Sequence, residues 1–283
     1  MEVINGQIAV LILFYNKLKQ TTECVLSFLP SGENIYILNN GSSLDAFADL
    51  KMQFSDVKQV HFLDAGTNLG PAGGRNYLIS HTTEPWMFFV DNDITIVPEQ
   101  SWKECLESFR IEYPDAKIIC PQIFNVHENA YMDGMNLEIE NGVLHLNATP
   151  EKIMNVFPEG GAIVHRNIFE RYGLYDAEMS AFEGYEFSIR CNQTGDGGLK
   201  AYRNESITLL HDHRYQETNT DKNTVRARYN TVQIQKSYNR LVERYKITFH
   251  HEWKWWTNKQ LEEMTSPKLW LRMKRRLKRF LSL

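Results

Sequence analysis

The stretch from Trp86 to Asp93 constrains this chain most, because it changes from apolar to acidic within one residue. Trp86 to Val90 are five consecutive apolar residues, a run typical of a strand buried on both faces of a parallel sheet. Asp91, Asn92 and Asp93 follow at once. Two carboxylates on the same side of an extended segment, at the carboxyl end of a buried strand, suit Mg²⁺ or Mn²⁺ bound beside a ligand. An ordinary acidic turn would have the same sequence.

Apolar runs alternate with helical patterns through the first half of the chain. Buried strands are predicted at residues 8–14, 35–38, 57–63 and 86–90, with helices between them from about residues 17, 44 and 71. This alternation predicts an α/β fold with a mostly parallel sheet flanked by helices. A helix at 99–110 and strands at 117–120, 159–165 and 207–210 continue it. Residues 123–158 are less periodic and are interpreted as hairpins or loops that cover the crevice.

Bulk properties narrow the class of protein. The chain has 283 residues, enough for one large α/β domain with appendages or for two small domains. Its net charge of −4 argues neither for nor against a nucleic-acid partner of the whole chain. The four cysteines are widely spaced, which indicates buried thiols in a reducing compartment. The first residues lack the basic and apolar regions of a secretory signal, and the longest apolar run has eight residues, too few to span a bilayer. These features predict a cytoplasmic protein.

A glycine-rich loop, Asn68-Leu-Gly-Pro-Ala-Gly-Gly-Arg-Asn76, leads into the third predicted helix. Glycines allow a ligand to approach the backbone closely, and the free N–H groups of a helix start favour anions. Arg75 would add a charged fork for a phosphate. The spacing and the position after the third strand differ from the dinucleotide-binding fingerprint. A tight loop with packing glycines is the structural alternative.

Taken together, these motifs resemble the family 2 glycosyltransferases, which have the GT-A fold, and in particular bacterial enzymes that make polysaccharides or glycolipids. The resemblance spans about residues 8–215 and rests on the following segments in order: Phe14-Tyr15-Asn16, Asn39-Asn40-Gly41-Ser42, Asn68 to Asn76, Asp91-x-Asp93, Gly160-Gly161, and Glu183-x-x-Glu186 with Arg190. It implies an enzyme that moves a sugar from a nucleotide-sugar to a hydroxyl of a glycan or lipid-linked acceptor.

The resemblance also implies roles for individual residues. Nucleotide-sugar binding is expected of Phe14, Tyr15, Asn16, Asn39, Asn40, Asn68, Gly70, Arg75, Asp91 and Asn92. Mn²⁺ or Mg²⁺ is expected at Asp91 and Asp93, with His211 or His213 as a further ligand. Acceptor binding is expected of Gly160 and Gly161. Asn39 stands where the family usually has an aspartate that contacts uracil, and its amide can still bond a pyrimidine edge, so UDP is the expected nucleotide.

The acidic start of the helix near residue 183 departs from the family pattern. Inverting members usually carry a general-base aspartate where this chain has Gly184. Glu183 or Glu186 would then deprotonate the acceptor, with inversion expected. The same pattern also looks like that of retaining polypeptide GalNAc-transferases. The structural alternative is that these acids begin a helix and that Arg190 pairs with one of them.

Two other functions remain open at this stage. A sugar nucleotidyltransferase shares the sheet type but would need a glycine-rich basic loop after the first strand, where this chain has Tyr15-Asn-Lys-Leu-Lys. A catalytically inactive nucleotide-sugar-binding protein or membrane scaffold is favoured by the missing acid at Gly184. Metal-dependent turnover separates the scaffold from the enzyme.

The C-terminal segments are predicted to lie outside the catalytic domain of residues 1–215. Residues 216–260, with an amphipathic helix at 222–246, would form a helical extension packed on that domain. Residues 261–283 combine an apolar face with seven basic residues from Lys268 onward, and there is no acid from Ser266 to the last residue. Three tryptophans (Trp253, Trp255 and Trp256) lie shortly upstream. That pattern indicates a helix lying on the anionic inner face of the cell membrane. The alternatives are a helix docked on the domain and a nucleic-acid patch.

Overall fold

The structure is a computed structural model that describes residues 7–97, 100–195, 197–212 and 230–249. The helices within these ranges are α1 (Leu18–Phe28), α2 (Leu44–Gln53), α3 (Gly70–Ser80), α4 (Trp102–Glu112), α5 (Asn167–Tyr172), α6 (Glu183–Asn192) and α7 (Thr231–Tyr245). The strands are β1 (Ile8–Phe14), β2 (Asn34–Asn39), β3 (Val60–Asp64), β4 (Trp86–Asp91), β5 (Ile94–Ile96), β6 (Ile118–Asn125), β7 (Ala130–Tyr131), β8 (Gly134–Glu140), β9 (Val143–Thr149), β10 (Ile153–Met154), β11 (Gly161–His165), β12 (Ala201–His211) and β13 (Thr248–Phe249).

The central sheet confirms the predicted α/β class with mostly parallel strands. Its order is β10-β12-β6-β11-β4-β1-β2-β3, with β5 paired to β12 and β7 to β6. The strands β3, β2, β1 and β4 are parallel to one another, and so are β6 and β12. Strand β11 runs antiparallel between β4 and β6. The register places Phe14 beside Asn39, Leu13 beside Asp91 and Asn39 beside Asp64, so the polar strand ends share one edge.

Helices cover both faces of this sheet, which explains why β1 is apolar throughout and β4 is apolar as far as Val90. Alternate residues of β1 enter two different cores: Ile8, Val10, Ile12 and Phe14 on one face, and Ala9 and Leu11 on the other. Side chains of α1, α2 and α4 complete the first core, and side chains of α3, α5 and α6 complete the second. Each large side chain fully buried in these cores contributes about 1.5–3 kcal/mol.

A smaller sheet, β13-β9-β8, and helix α7 pack beside α6. Strands β8 and β9 form a hairpin whose turn residues, Asn141 and Gly142, both have positive φ, as a two-residue turn of this kind requires. Leu241 of α7 shares a third core with Ile189 of α6 and Leu144 of β9. The 123–158 segment, predicted as hairpins or loops, thus holds strands β7 to β10.

Several element boundaries differ from the prediction. Strand β3 begins at Val60 because Val57 to Val60 form a turn, closed by the Val60 N–H bonded to the Val57 carbonyl. Strand β5, three residues long, was not predicted; it pairs with the end of β12. His213, the start of the predicted 222–246 helix and the basic segment 261–283 lie outside the described residues. No helix among the described residues is both long and apolar enough to cross a bilayer.

Candidate active site

Asp93 is paired with a cation of the first loop. Its Oδ2 lies 2.6 Å from Lys17 Nζ, and both side chains are at most 5 % exposed. Lys17 reaches this position because Asn16 and Lys17 both have left-handed backbone conformations, with φ of 59° and 54°. Non-glycine residues adopt that conformation at a cost of about 1–2 kcal/mol each. The loop is braced by the Asn16 N–H, which bonds Ser42 Oγ, and by the Asn92 side chain, which bonds the Asn16 carbonyl.

The other oxygen of Asp93 lies 3.4 Å from His211 Nε2, at the end of β12. Burial on its own would raise the pKa of Asp93, but the hydrogen bond from His211 and the Lys17 ammonium outweigh it and hold this pKa well below its usual range. Asp93 is therefore ionised at any physiological pH. Lys17, which the sequence analysis did not single out, is a member of this cluster.

The carboxylate of Asp93 and the imidazole of His211 are donors that suit Mn²⁺. Among the residues that the structure describes, no three His, Cys, Asp or Glu side chains converge closely enough to hold a metal on their own. Phosphate oxygens of a nucleotide would have to complete the coordination, as is common for Mg²⁺ and Mn²⁺ sites beside phosphates. Lys17 competes with a metal for Oδ2 of Asp93. Metal binding by Asp93 and His211 stays a prediction, and His213 lies outside the described residues.

Arg75 forms the second cluster. Helix α3 starts at Gly70, with Pro71 in its first turn, and Gly74 lets it lie close to β1, since a Cβ there would come within 2.7 Å of Leu13 Cδ2. The next residue, Arg75, is 7 % exposed. Its Nη1 lies 2.9 Å from Glu183 Oε1, and its Nη2 lies 3.5 Å from Asp91 Oδ1. Burial lowers the pKa of Arg75, but Asp91 and Glu183 more than offset this, so its pKa is raised and the group stays charged.

Asparagines tie the loops at this edge together. The Asn39 side chain donates to Asp64 Oδ1 and accepts from the Ser42 N–H. Asn40 spans to the glycine-rich loop, where it donates to the Gly70 carbonyl and accepts from the Leu69 N–H. Asn68 caps that loop by accepting from the Gly70 N–H. These amides hold the shape of the crevice. Asp64 at the end of β3 is a further polar side chain of this edge that the sequence analysis missed.

Other candidate residues occupy varied positions. The side chain of Phe14 is fully buried and stacks on Phe47 in the core, while its carbonyl accepts from Asn40 N and Ser42 Oγ. Tyr15 is partly exposed.

The two glycines predicted to bind the acceptor lie at the start of β11. A Cβ at Gly160 would lie 2.2 Å from Asp91 Oδ2, so this glycine makes room for Asp91. Gly161 begins β11, and a Cβ there would come within 2.6 Å of Ile123. Acceptor binding by these two glycines stays a prediction.

The two acids at the start of α6 have different surroundings. Glu183 faces Arg75, as described above. Glu186 is 1 % exposed; its Oε1 accepts from the Tyr245 hydroxyl at 2.6 Å, Arg244 Nη1 at 2.8 Å and Arg190 Nε at 3.2 Å. Burial and this hydrogen bond to Glu186 raise the pKa of Tyr245 to about 12. Glu186 thus joins α6 to α7, and its catalytic role stays a prediction.

A third glutamate, Glu159, lies in the turn before β11 and was not singled out from the sequence. Burial and the nearby Glu183 carboxylate raise its pKa to about 7, although Arg75 opposes the shift. The turn is closed by the Gly161 N–H bonded to the Pro158 carbonyl, and it is fixed to β4 by the Asp91 N–H bonded to the Gly160 carbonyl. This arrangement places three carboxylates around Arg75.

Comparison with solved structures finds the same fold in glycosyltransferases. GalNAc-T7, crystallised with UDP, GalNAc and Mn²⁺, superposes with a TM-score of 0.59 at 16 % identity, over 78 % of this chain and 47 % of that one. TarS from S. aureus (residues 1–349), crystallised with UDP-GlcNAc, gives 0.54 at 13 % identity, over 84 % of this chain and 73 % of that one. The chain thus spans about half the length of GalNAc-T7. A search of curated protein sequences found no match.

The sequence family completes the comparison. The model of "Glycosyl transferase family 2" matches residues 9–173, which run from β1 through α5 and include the Asp-x-Asp pair and Arg75. The match covers more than half of the chain, and the GT-A fold of the solved structures agrees with it. This chain therefore belongs to glycosyl transferase family 2.

Proposed function

We propose that the protein transfers a sugar, with inversion, from a UDP-sugar to a hydroxyl of a glycan or lipid-linked acceptor in the synthesis of a cell-surface polysaccharide. One observation carries the donor assignment: each aspartate of the Asp91-x-Asp93 pair holds a buried cation, Arg75 in one case and Lys17 in the other. Two fixed positive charges at the carboxyl edge of a parallel sheet suit the pyrophosphate of a nucleotide-sugar.

The charges define what these residues do during transfer. The nucleoside diphosphate leaves with an additional negative charge, which Lys17 and Arg75 can stabilise without moving, because both are already held in place by carboxylates. Mn²⁺ or Mg²⁺ bound at Asp93 and His211 would neutralise further charge on the pyrophosphate. Asp91 and Glu183 orient Arg75 from two sides.

UDP is the proposed nucleotide for two reasons. The amide of Asn39, at the end of β2, can donate to and accept from a pyrimidine edge. Both structural neighbours described above were crystallised with uridine nucleotides, UDP in GalNAc-T7 and UDP-GlcNAc in TarS. A base-binding role for Asn39, which is 3 % exposed, requires it to exchange its contacts with Asp64 and with the Ser42 N–H for contacts with the base.

Donor hydrolysis tests the proposal. UDP-, GDP- and dTDP-sugars are each incubated with the protein in Mn²⁺, in Mg²⁺ and in EDTA, with Asp93→Asn as the matched control. Release of sugar from a UDP-sugar with metal present, lost in EDTA and in Asp93→Asn, is the expected result. Nucleotide binding measured on the same samples, without release from any donor, would favour the inactive binding protein. Neither binding nor release would refute the proposal.

We also propose that the segment 261–283 attaches the enzyme peripherally to an anionic membrane. The support is its sequence alone, in which basic residues surround an apolar face. The full-length protein is expected to sediment with vesicles of phosphatidylglycerol and phosphatidylcholine but not with pure phosphatidylcholine. The variant Arg275→Glu/Arg276→Glu should lose that binding. Equal sedimentation with both vesicle types would contradict an electrostatic attachment.

A further inference from the structure

At Gly184, the second residue of α6, the Glu159 carboxylate occupies the space where a side chain would begin. A Cβ built on it would lie 1.0 Å from Glu159 Oε1 and 2.1 Å from Glu159 Cδ, and its three nearest neighbours are all atoms of that carboxylate. The backbone at Gly184 does not have a positive φ. A side chain at position 184 and the present position of the Glu159 carboxylate therefore exclude each other, while the backbone conformation would accept any residue. The carboxylate of Glu159 fills the volume that a side chain at position 184 would otherwise take.

The fold fixes the backbone of Glu159 beside Gly184. Its turn is fixed to the end of β4 through the Gly160 carbonyl, and β4 carries the Asp-x-Asp pair. The titratable groups around Glu159 come from four other elements or loops: Arg75 on α3, Asp91 on β4, Glu183 and Tyr185 on α6, and Tyr175 before α6. Glu159 thus lies beside Arg75 and Asp91, the groups assigned above to the donor.

Three neighbouring glutamates differ in the number of hydrogen bonds that their carboxylate oxygens already accept from other side chains. Glu186 accepts hydrogen bonds from Arg190, Arg244 and Tyr245, and Glu183 accepts one from Arg75. In the described part of the chain, no other side chain donates a hydrogen bond to Glu159. Its oxygens can therefore accept a proton from a bound hydroxyl. Its pKa of about 7 is also close to the value at which a general base works best near neutral pH.

We propose that Glu159 is the general base of the transfer, acting from the turn before β11 in place of a carboxylate at position 184. This inference rests on the proposed function. The acceptor O–H bond breaks and its proton passes to Glu159 as the acceptor oxygen forms a bond to the anomeric carbon. The bond from that carbon to the phosphate oxygen breaks, and its electron pair leaves with the nucleoside diphosphate. Attack from the face opposite the leaving group inverts the anomeric centre.

The first test uses water as the acceptor and the UDP-sugar that is hydrolysed in the assay above. Glu159→Gln should lower the rate about 100-fold or more, the usual range for losing a general base, while UDP affinity changes less than about threefold. The wild-type rate should fall as the pH drops below about 7, because the base is then protonated, and this limb should be absent in Glu159→Gln. Glu151→Gln, an exposed glutamate of the preceding loop, is the matched control and should behave as wild type.

Two rescues separate a base from a residue that only shapes the site. Azide carries no proton to remove, so it should form glycosyl azide with Glu159→Gln at a rate near that of the wild type. The double variant Glu159→Ala/Gly184→Asp moves the carboxylate into the vacated space and should regain about tenfold or more over Glu159→Ala, within the range for acid–base catalysis.

The outcomes distinguish this inference from the function on which it rests. Hydrolysis by Glu159→Gln within about threefold of the wild type would overturn the role of Glu159 and leave the transferase assignment intact. Failure of azide to restore the rate, with UDP binding unchanged, would also overturn it. Absence of hydrolysis in the wild type with every donor would instead count against transferase activity, and absence of nucleotide binding as well would refute the proposed function.

Discussion

Replacing Glu186 with alanine is expected to destabilise the protein by about 3 kcal/mol, near the lower end of the range for removing one partner of a buried ion pair. Glu186 itself is 1 % exposed and accepts from three side chains. The loss of stability lies near the lower end of that range because the side chains of Arg190 and Arg244 are 27 % and 38 % exposed. Both can therefore bond to water once Glu186 is removed. Arg244 also keeps its contact of 2.8 Å with Asp176.

Urea unfolding followed by circular dichroism measures this effect. A loss of about 3 kcal/mol corresponds to a fall of about 6–12 °C in Tm for a domain of this size. Glu186→Gln keeps an acceptor for the Tyr245 hydroxyl and should lose only about 1–2 kcal/mol. Glu178→Ala, which removes an exposed partner of Arg240, should stay within about 0.5 kcal/mol of the wild type. Wild-type stability of Glu186→Ala, combined with loss of donor hydrolysis, would refute the packing role and restore Glu186 as a catalytic residue.

Three further variants test separate contacts. Gly160→Ala places a Cβ 2.2 Å from Asp91 Oδ2, so Asp91 must move. The affinity for UDP, measured by calorimetry, should therefore fall about tenfold, a loss of about 1.4 kcal/mol in binding free energy. Unchanged affinity would contradict this. Lys17→Met removes the ammonium that competes for Asp93 and should tighten Mn²⁺ binding measured by electron paramagnetic resonance, whereas weaker binding would show that Lys17 assists the metal. Arg166→Ala removes the guanidinium that donates to the carbonyls of Ile79, Thr82 and Glu84, of which the Ile79 carbonyl keeps a contact with the Thr82 hydroxyl. It should cost about 2–3 kcal/mol in urea unfolding, and a loss below about 0.5 kcal/mol would refute that estimate.

Much of the fold can be predicted from the sequence because the parallel strands are buried on both faces. A strand such as β1 or β4 must then be a continuous apolar run, and its end is marked by an abrupt change to polar residues. Short elements give no such signal. Strand β5 has three residues and depends on pairing with β12, 113 to 117 positions later in the chain, so no local pattern identifies it.

The candidate site was predicted less completely, for a related reason. The Asp-x-Asp pair and Arg75 lie in recognisable motifs, but their partners are set by tertiary structure. Lys17 pairs with Asp93 across 76 positions, and nothing in the sequence around Lys17 indicates a buried lysine. Glu159 and Gly184 are 25 residues apart, and their relation appears only when a side chain is placed at Gly184. A missing carboxylate at position 184 was visible in the sequence, whereas the glutamate that fills its space was not.

Nucleotide binding tests the central claim most directly. That claim is that Arg75 and Lys17, the cations paired with Asp91 and Asp93, bind the pyrophosphate of a nucleoside diphosphate. Calorimetric titrations of UDP, UMP and uridine are compared on the wild type and on Asp93→Asn, with Mn²⁺ present. UDP is predicted to bind about tenfold or more tightly than UMP, a difference of about 1.4 kcal/mol from the second phosphate, and Asp93→Asn should reduce that difference. Equal affinity for UDP, UMP and uridine, or no binding of any nucleoside diphosphate, would contradict the account.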